Sequence, residues 1–289
     1  MKNLIISTLM LLFSCNENIS KDKTINYNYK KNTMKNIYYL NYDLSGEFDI
    51  IFNGVLLTRN KKDGVMMNYE YLNPYINTRG KQTITLFLKS LTRAQKISPK
   101  VLKDISLELF LSVNKDEPPL KKVQALILPE YKNAQDSILY TWTFDADVPF
   151  EIKTLTDAKD LSKENQDSLL KEVVEKYNTV RNLINDGKTN KYMDLYKKSR
   201  EREMISMYYD EQKQKEYLSS IADRAQSSKD YMQPLKNYKI FIHPNNKLVE
   251  LMINDGQDSA LYSVDKKGKR KTYGLQLYRS LTTGKLEVY

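Results

Sequence analysis

Tyr140-Thr141-Trp142-Thr143-Phe144-Asp145-Ala146-Asp147-Val148-Pro149-Phe150 is the stretch that decides the fold class. Up to Val148 the alternation is strict. Tyr140, Trp142, Phe144, Ala146 and Val148 fall on one side, and Thr141, Thr143, Asp145 and Asp147 on the other. Successive side chains of a β-strand point to opposite faces, so a period of two predicts a strand with one face on a core and one in water. Pro149 closes the pattern. Beyond it Leu169, Leu170, Val173, Val174, Tyr177, Val180, Leu183 and Ile184 recur at spacings of three and four, the apolar stripe of a helix over about 163–186. The chain is thus predicted to be α+β, with strands before Pro149, helices after it, and a linker over 151–159.

Towards the N-terminus the period stays at two. Phe48, Ile50 and Phe52 share a face, and Ile84, Leu86 and Leu88 alternate with Thr83, Thr85 and Phe87. Ile105, Leu107, Leu109, Leu111 and Val113 alternate with Ser106, Glu108, Phe110 and Ser112. Asn53-Gly54, Lys62-Asp63-Gly64, Asn73-Pro74, Arg79-Gly80 and Pro118-Pro119 supply the turns between them. Six to eight short strands over 36–150 predict an antiparallel β-sandwich. Asp145 and Asp147, about 6–7 Å apart on one face, lack the further oxygen ligands calcium needs and read as solvent-facing acids. Trp142 reads as core.

Towards the C-terminus Ser162 is the expected N-cap of the long helix, with Glu164 in its first turn and Gly187 after its last. A second helix is expected from about Thr189 through Tyr192, Met193, Leu195 and Tyr196. A third, over about 200–225, carries Met204, Met207, Tyr208, Leu218, Ile221 and Ala225. Strand periodicity then returns at 238–242, 248–253, 260–264, 273–281 and 286–289. Asn245-Asn246, Asp255-Gly256, Lys267-Gly268 and Thr283-Gly284 read as hairpin turns. Residues 160–289 are therefore expected to form a second domain, helices followed by a curved antiparallel sheet.

Chemistry is sparse. His243, the one histidine, stands before Pro244 and reads as a strand-end residue, because a lone imidazole does not make a metal site. The chain has no G-x-S-x-G elbow, phosphate-binding loop or dinucleotide-binding glycine fingerprint. No catalytic residue, metal site or cofactor is expected, and the chain does not read as an enzyme. The sharpest charge feature is Lys266, Lys267, Lys269, Arg270 and Lys271 around Gly268. It is expected to project as a hairpin tip, either as a solvated turn or as a contact for an anionic surface.

The first fifteen residues hold Lys2, an apolar run from Leu4 to Phe13, and Cys15, the single cysteine. The run is shorter than the roughly 20 residues of a spanning helix. Residues 16–35 are rich in Asn and Lys without apolar periodicity, as a flexible tether would be. Leu12-Phe13-Ser14-Cys15 resembles the type II signal peptide of bacterial, Bacteroidetes-like lipoproteins. That resemblance implies cleavage before Cys15, a palmitate-type lipid on its sulfur, and a cell-envelope address, the outer membrane facing the periplasm. The net charge of +10 would otherwise suggest nucleic acid as a partner. In the envelope its counterparts are acidic lipid or an acidic protein, and nucleic acid is not expected.

Two further resemblances concern the folded body. Phe52-Asn53-Gly54-Val55, Leu72-Asn73-Pro74-Tyr75-Ile76 and Gly80-Lys81-Gln82-Thr83-Ile84 are similar to a carbohydrate-binding-like β-sandwich pattern, with Gln82 where that pattern favours Asn. Val180-Arg181-Asn182-Leu183-Ile184-Asn185-Asp186-Gly187-Lys188, followed by Tyr192-Met193-Asp194-Leu195-Tyr196, resembles the opening of the nuclear-transport-factor-2-like cone fold. Taken together, the expected function is a lipid-anchored envelope protein that binds a partner protein, of immunity or envelope-assembly type. The alternatives are a carbohydrate- or small-ligand-binding lipoprotein and, less so, a cone-fold isomerase or cyclase-like enzyme.

Overall fold

The alternating segments become eight strands: β1 (Ile37–Ser45), β2 (Phe48–Phe52), β3 (Val55–Asn60), β4 (Val65–Tyr71), β5 (Gly80–Lys89), β6 (Ser106–Ser112), β7 (Lys121–Ala125) and β8 (Ser137–Ala146). A short helix, α1 (Pro99–Lys103), precedes β6. The structure is a computed structural model that describes residue 27 and residues 34–62, 64–89, 96–112 and 121–289. The leader with Cys15, nearly all of the expected tether, and Val113 lie outside the described residues.

The strands form two four-stranded antiparallel sheets, ordered β4-β1-β6-β7 and β3-β2-β5-β8. Leu40, Tyr42 and Leu44 from the first sheet meet Phe48, Ile50, Phe52, Ile84, Leu86 and Phe144 from the second in one core. β8 keeps the alternation of its sequence, with Trp142, Phe144 and Ala146 buried and Thr141, Thr143 and Asp145 exposed. β6 does so less strictly in its burial. Its pairing with β7 shifts between Leu109 and Phe110, where Val123 of β7 is the extra residue, while its register with β1 runs unbroken over 106–112. Leu111 is half-buried on the core side opposite Tyr38, while Ser112 is buried on the other face opposite Ile37.

The long helix is α2 (Gln166–Asn185). It starts later than the spacing suggested. Asp160 accepts from the Ser162 amide and closes a separate 3-10 turn over Leu161–Lys163, leaving Asn165 to cap α2 by accepting from the Ser168 amide. Gly187 ends it as expected, at φ +68°, with Lys188 N donating to Leu183 O and Gly187 N to Ile184 O. The next helix is α3 (Thr189–Leu195). The single helix expected over 200–225 is instead two, α4 (Lys197–Ser206) and α5 (Glu211–Gln226). Tyr208 breaks it at φ +56°, Tyr209 N donates back to Met204 O, and Asp210 caps α5 through the Lys213 amide.

Six short strands follow: β9 (Tyr238–Ile242), β10 (Val249–Ile253), β11 (Tyr262–Val264), β12 (Arg270–Thr272), β13 (Leu277–Arg279) and β14 (Leu286–Val288). β14-β13-β10-β9 make one antiparallel sheet and β11-β12 a hairpin. The single strand expected over 273–281 is shorter, since only Leu277–Arg279 enters the sheet and Tyr273 instead extends the β11–β12 pairing. Tyr273 N donates to Leu261 O, and Leu275 O receives the Tyr177 hydroxyl. Val173, Tyr177 and Val180 of α2 pack with Val249, Leu251 and Leu277 in a second core. The α+β class read from the sequence is the class observed. No helix among the described residues is long and apolar enough to cross a bilayer.

The two halves are stitched together. Met204, Met207, Tyr208 and Tyr209, from the α4–α5 break, lie in the core of the sandwich. Asn73 donates to both Asn36 O and Ser206 O, and Tyr208 donates to Asn36 O. On another side the Asn53-Gly54 hairpin meets the β9–β10 turn, with Asn245 N donating to Gly54 O at 2.9 Å. A Cβ on Gly54 would come within 2.7 Å of Asn245 Cβ, so glycine is required there by contact as well as by its φ of +75°.

Candidate interaction surface

Among the described residues β4 is an edge strand, paired only with β1. Its register with β1 sets Glu70 beside Leu40, Asn68 beside Tyr42 and Met66 beside Leu44. Directly opposed residues in a sheet share a face, and Leu40, Tyr42 and Leu44 face the sandwich core. Met66, Asn68 and Glu70 therefore take the inner side of the strand, Met66 and Glu70 half-buried and Asn68 exposed at the edge. Val65, Met67 and Tyr69 point outward, 68%, 72% and 53% exposed.

Both ends hold β4 in that phase. At the start Asn60 donates to Gly46 O and Lys62 O and accepts from the Lys62 amide, while Gly46 N donates to Gly64 O. At the end Leu72 N donates to Tyr38 O, and the fully buried Asn73 accepts from the Tyr38 amide at 2.8 Å. A one-residue slip would bury the apolar set, but it would break these contacts. Leaving three large apolar side chains about two-thirds in water forfeits on the order of 3–6 kcal/mol.

The patch has an aromatic border. Tyr69 and Tyr71 pack against Tyr39 of β1 at ring-centre distances of 6.1 and 4.9 Å. Tyr39 is buried at one end of this face, and Asn41 beside Tyr69 is exposed. Periodicity alone could have marked β4, since Val65, Met67, Tyr69 and Tyr71 alternate between Gly64 and Asn73-Pro74. It would have assigned them to the core.

The residues singled out in the sequence do not gather at this surface. Cys15 lies outside the described residues. The β11–β12 hairpin carries Lys266, Lys267, Lys269, Arg270 and Lys271, and its turn is closed by Asp265, whose carboxylate accepts from the amides of Lys267 and Lys269 at 2.9 Å. Arg270 stacks on Tyr262 at 4.0 Å, and Lys271 donates to Ser227 Oγ at 2.7 Å. Lys266, Lys267 and Lys269 remain as the exposed tip. Replacing those three with Gln should move stability by less than about 0.5 kcal/mol each. Arg270→Gln should cost about 0.5–1 kcal/mol, because it removes the stacking contact. Urea midpoints of the four variants test this, and an Arg270→Gln no worse than the lysine changes would overturn it.

His243 is more than a strand-end residue. It is fully buried between the halves, where Nδ1 accepts from Leu56 N at 3.0 Å and Nε2 lies 3.2 Å from Glu250 Oε1. Asp147 pairs with Arg79, and Asp145 is exposed beside Lys81. Trp142 is buried and donates to Ile127 O at 2.9 Å. In the stretch that resembles sugar-binding sandwiches, Gln82 accepts from Asn53 Nδ2 and donates to Gly80 O and Thr78 O. Those groups hold the β2–β3 hairpin to β5. Between α2 and its sheet Tyr177 is fully buried in the second core.

A separate groove of about 610 Å³ lies beside α1, lined by Leu102, Ile105, Leu107, Leu126 and Tyr131, with Lys103 and Lys132 also on its wall. Comparison with protein-family models, with curated proteins and with solved structures finds no match to this chain.

Proposed function

We propose that this protein is a lipid-anchored binding protein of the cell envelope, a non-catalytic interaction module that receives a partner protein on the outward face of β4. One observation carries the reading: an edge strand, pinned at both ends, that turns Val65, Met67 and Tyr69 to solvent. Exposed apolar edge strands pair with other chains. The leader ending in Cys15 supports a lipid anchor in the outer membrane, facing the periplasm.

Site-specific photo-crosslinking in the native envelope tests both parts. A photoreactive residue at position 67 should trap a partner, and one at the exposed position 141 on the opposite sheet should not. Equal crosslinking at both positions, or none at 67, would sink the surface. Cys15→Ala should remove the acylated thiol, release the chain from the membrane fraction and reduce the crosslink. An unchanged membrane fraction would overturn the anchor.

A second reading, a small-ligand-binding lipoprotein, draws on the α1 groove, whose volume falls in the range of roughly 300–1,000 Å³ typical of ligand sites. A sugar that raises the melting temperature of the wild type, and not of Leu102→Trp, would favour it.

A further inference from the structure

Glu70 is the one charged residue of β4, and the register turns it inward beside Leu40. It accepts from Asn68 Nδ2 at 3.4 Å and lies in hydrogen-bond contact with the Tyr42 hydroxyl. Among the described residues no cation forms an ion pair with it. Burial raises the pKa of its carboxyl group, against the hydrogen bond from Tyr42. An inward acid on an edge strand discourages indiscriminate pairing, because an added apolar or acidic strand would leave the carboxylate buried without a counter-charge. The same acid makes the edge selective, since a strand bringing a cation to that position gains what the others lose.

We infer that the β4 edge takes an added strand from a partner protein that places Lys or Arg opposite Glu70 and apolar residues opposite Met67 and Tyr69. The inference rests on the interaction reading above and names its partner chemistry. A second copy of this chain pairing symmetrically through its own β4 does not meet the requirement. Residues 65–71 contain no Lys or Arg. A symmetric antiparallel pairing centred on Asn68 sets Glu70 against a second copy's Met66, and one centred on Tyr69 sets it against a second copy's Asn68. The outer backbone edge of β4 pairs with no other strand among the described residues, so its hydrogen-bonding groups are available to the incoming chain.

The test uses two labelled seven-residue peptides, Val-Thr-Tyr-Lys-Val-Thr-Val and the same sequence with Glu in place of Lys. Each is titrated by anisotropy against the full chain held on zwitterionic nanodiscs. The Lys peptide should bind roughly five- to tenfold more tightly, since opposite charges across strands attract and like charges repel. Binding should protect the backbone amides of 65–71 from hydrogen exchange. Glu70→Gln should bring the two affinities together, while Met67→Lys should weaken both.

Equal affinities for the wild type would overturn the charge requirement and leave strand addition standing. If neither peptide binds while position 67 still crosslinks in the envelope, the strand-addition inference fails and the surface reading survives. Self-association of the chain that Met67→Lys abolishes would make a second copy the occupant and overturn the inference.

Discussion

Cut at residue 150, the sandwich should lose its cooperative melting transition, although its strands are all present. Met204, Met207, Tyr208 and Tyr209 are between 3% and 8% exposed, and they are buried in the core of residues 36–150 rather than in their own half. Fully burying a large apolar side chain is worth about 1.5–3 kcal/mol, so removing four forfeits roughly 6–12 kcal/mol. That is comparable with the whole stability of an ordinary domain, about 5–15 kcal/mol. The excision also takes Ser206 O away from Asn73 Nδ2 and the Tyr208 hydroxyl away from Asn36 O. Calorimetry of the fragment should show a broad transition with dye-accessible apolar surface, and supplying residues 151–289 should restore a sharp one. A fragment that melts sharply within a few degrees of the full chain would show that 204–209 are dispensable.

The second large effect is expected at Tyr177. Its ring is fully buried among α2 and the C-terminal sheet, and its hydroxyl donates to Leu275 O at 2.6 Å while accepting from Leu251 N at 2.8 Å. Tyr177→Ala opens a cavity, at about 3–5 kcal/mol by analogy with large-to-small core changes. It also strands a buried amide and carbonyl, which adds about 1–3 kcal/mol. Tyr177→Phe keeps the packing and should cost only the second of these. Urea midpoints separate the two, and equal losses for Ala and Phe would overturn the division.

Burial, and then the nearby Glu250 carboxylate, hold the Tyr177 hydroxyl well above its ordinary pKa. An acid whose folded pKa is raised contributes stability below its unfolded value and loses it as pH rises past that value. Wild-type stability should therefore begin to fall near pH 10, the ordinary tyrosine pKa. Tyr177→Phe should flatten that slope. An equally steep alkaline loss in the variant would assign it to other tyrosines.

How much of this was legible beforehand depends on what each pattern encodes. The period of two in 140–148 and of 3.6 in 169–184 established strand and helix, because each repeat follows from local backbone geometry. Gly187 and the Lys267-Gly268 turn were legible for the same reason: a positive φ favours glycine wherever the chain makes such a turn, and both residues adopt one. The later start of α2 was not, since Ser162 and Asn165 are both good caps and Asp160 decides between them by taking the Ser162 amide.

The sequence by itself therefore determined the α+β order, the place of the switch near Pro149, and most turns. The tertiary structure alone decided that the apolar run 204–209 breaks its helix to enter the other half's core. It alone decided, too, that β4 shows its apolar face to water. The reason is common to both. Periodicity says which residues share a face, but which way the face points depends on contacts far along the chain. For β4 those are the pins at Asn60 and Asn73, and for 204–209 the open end of a sandwich more than fifty residues upstream.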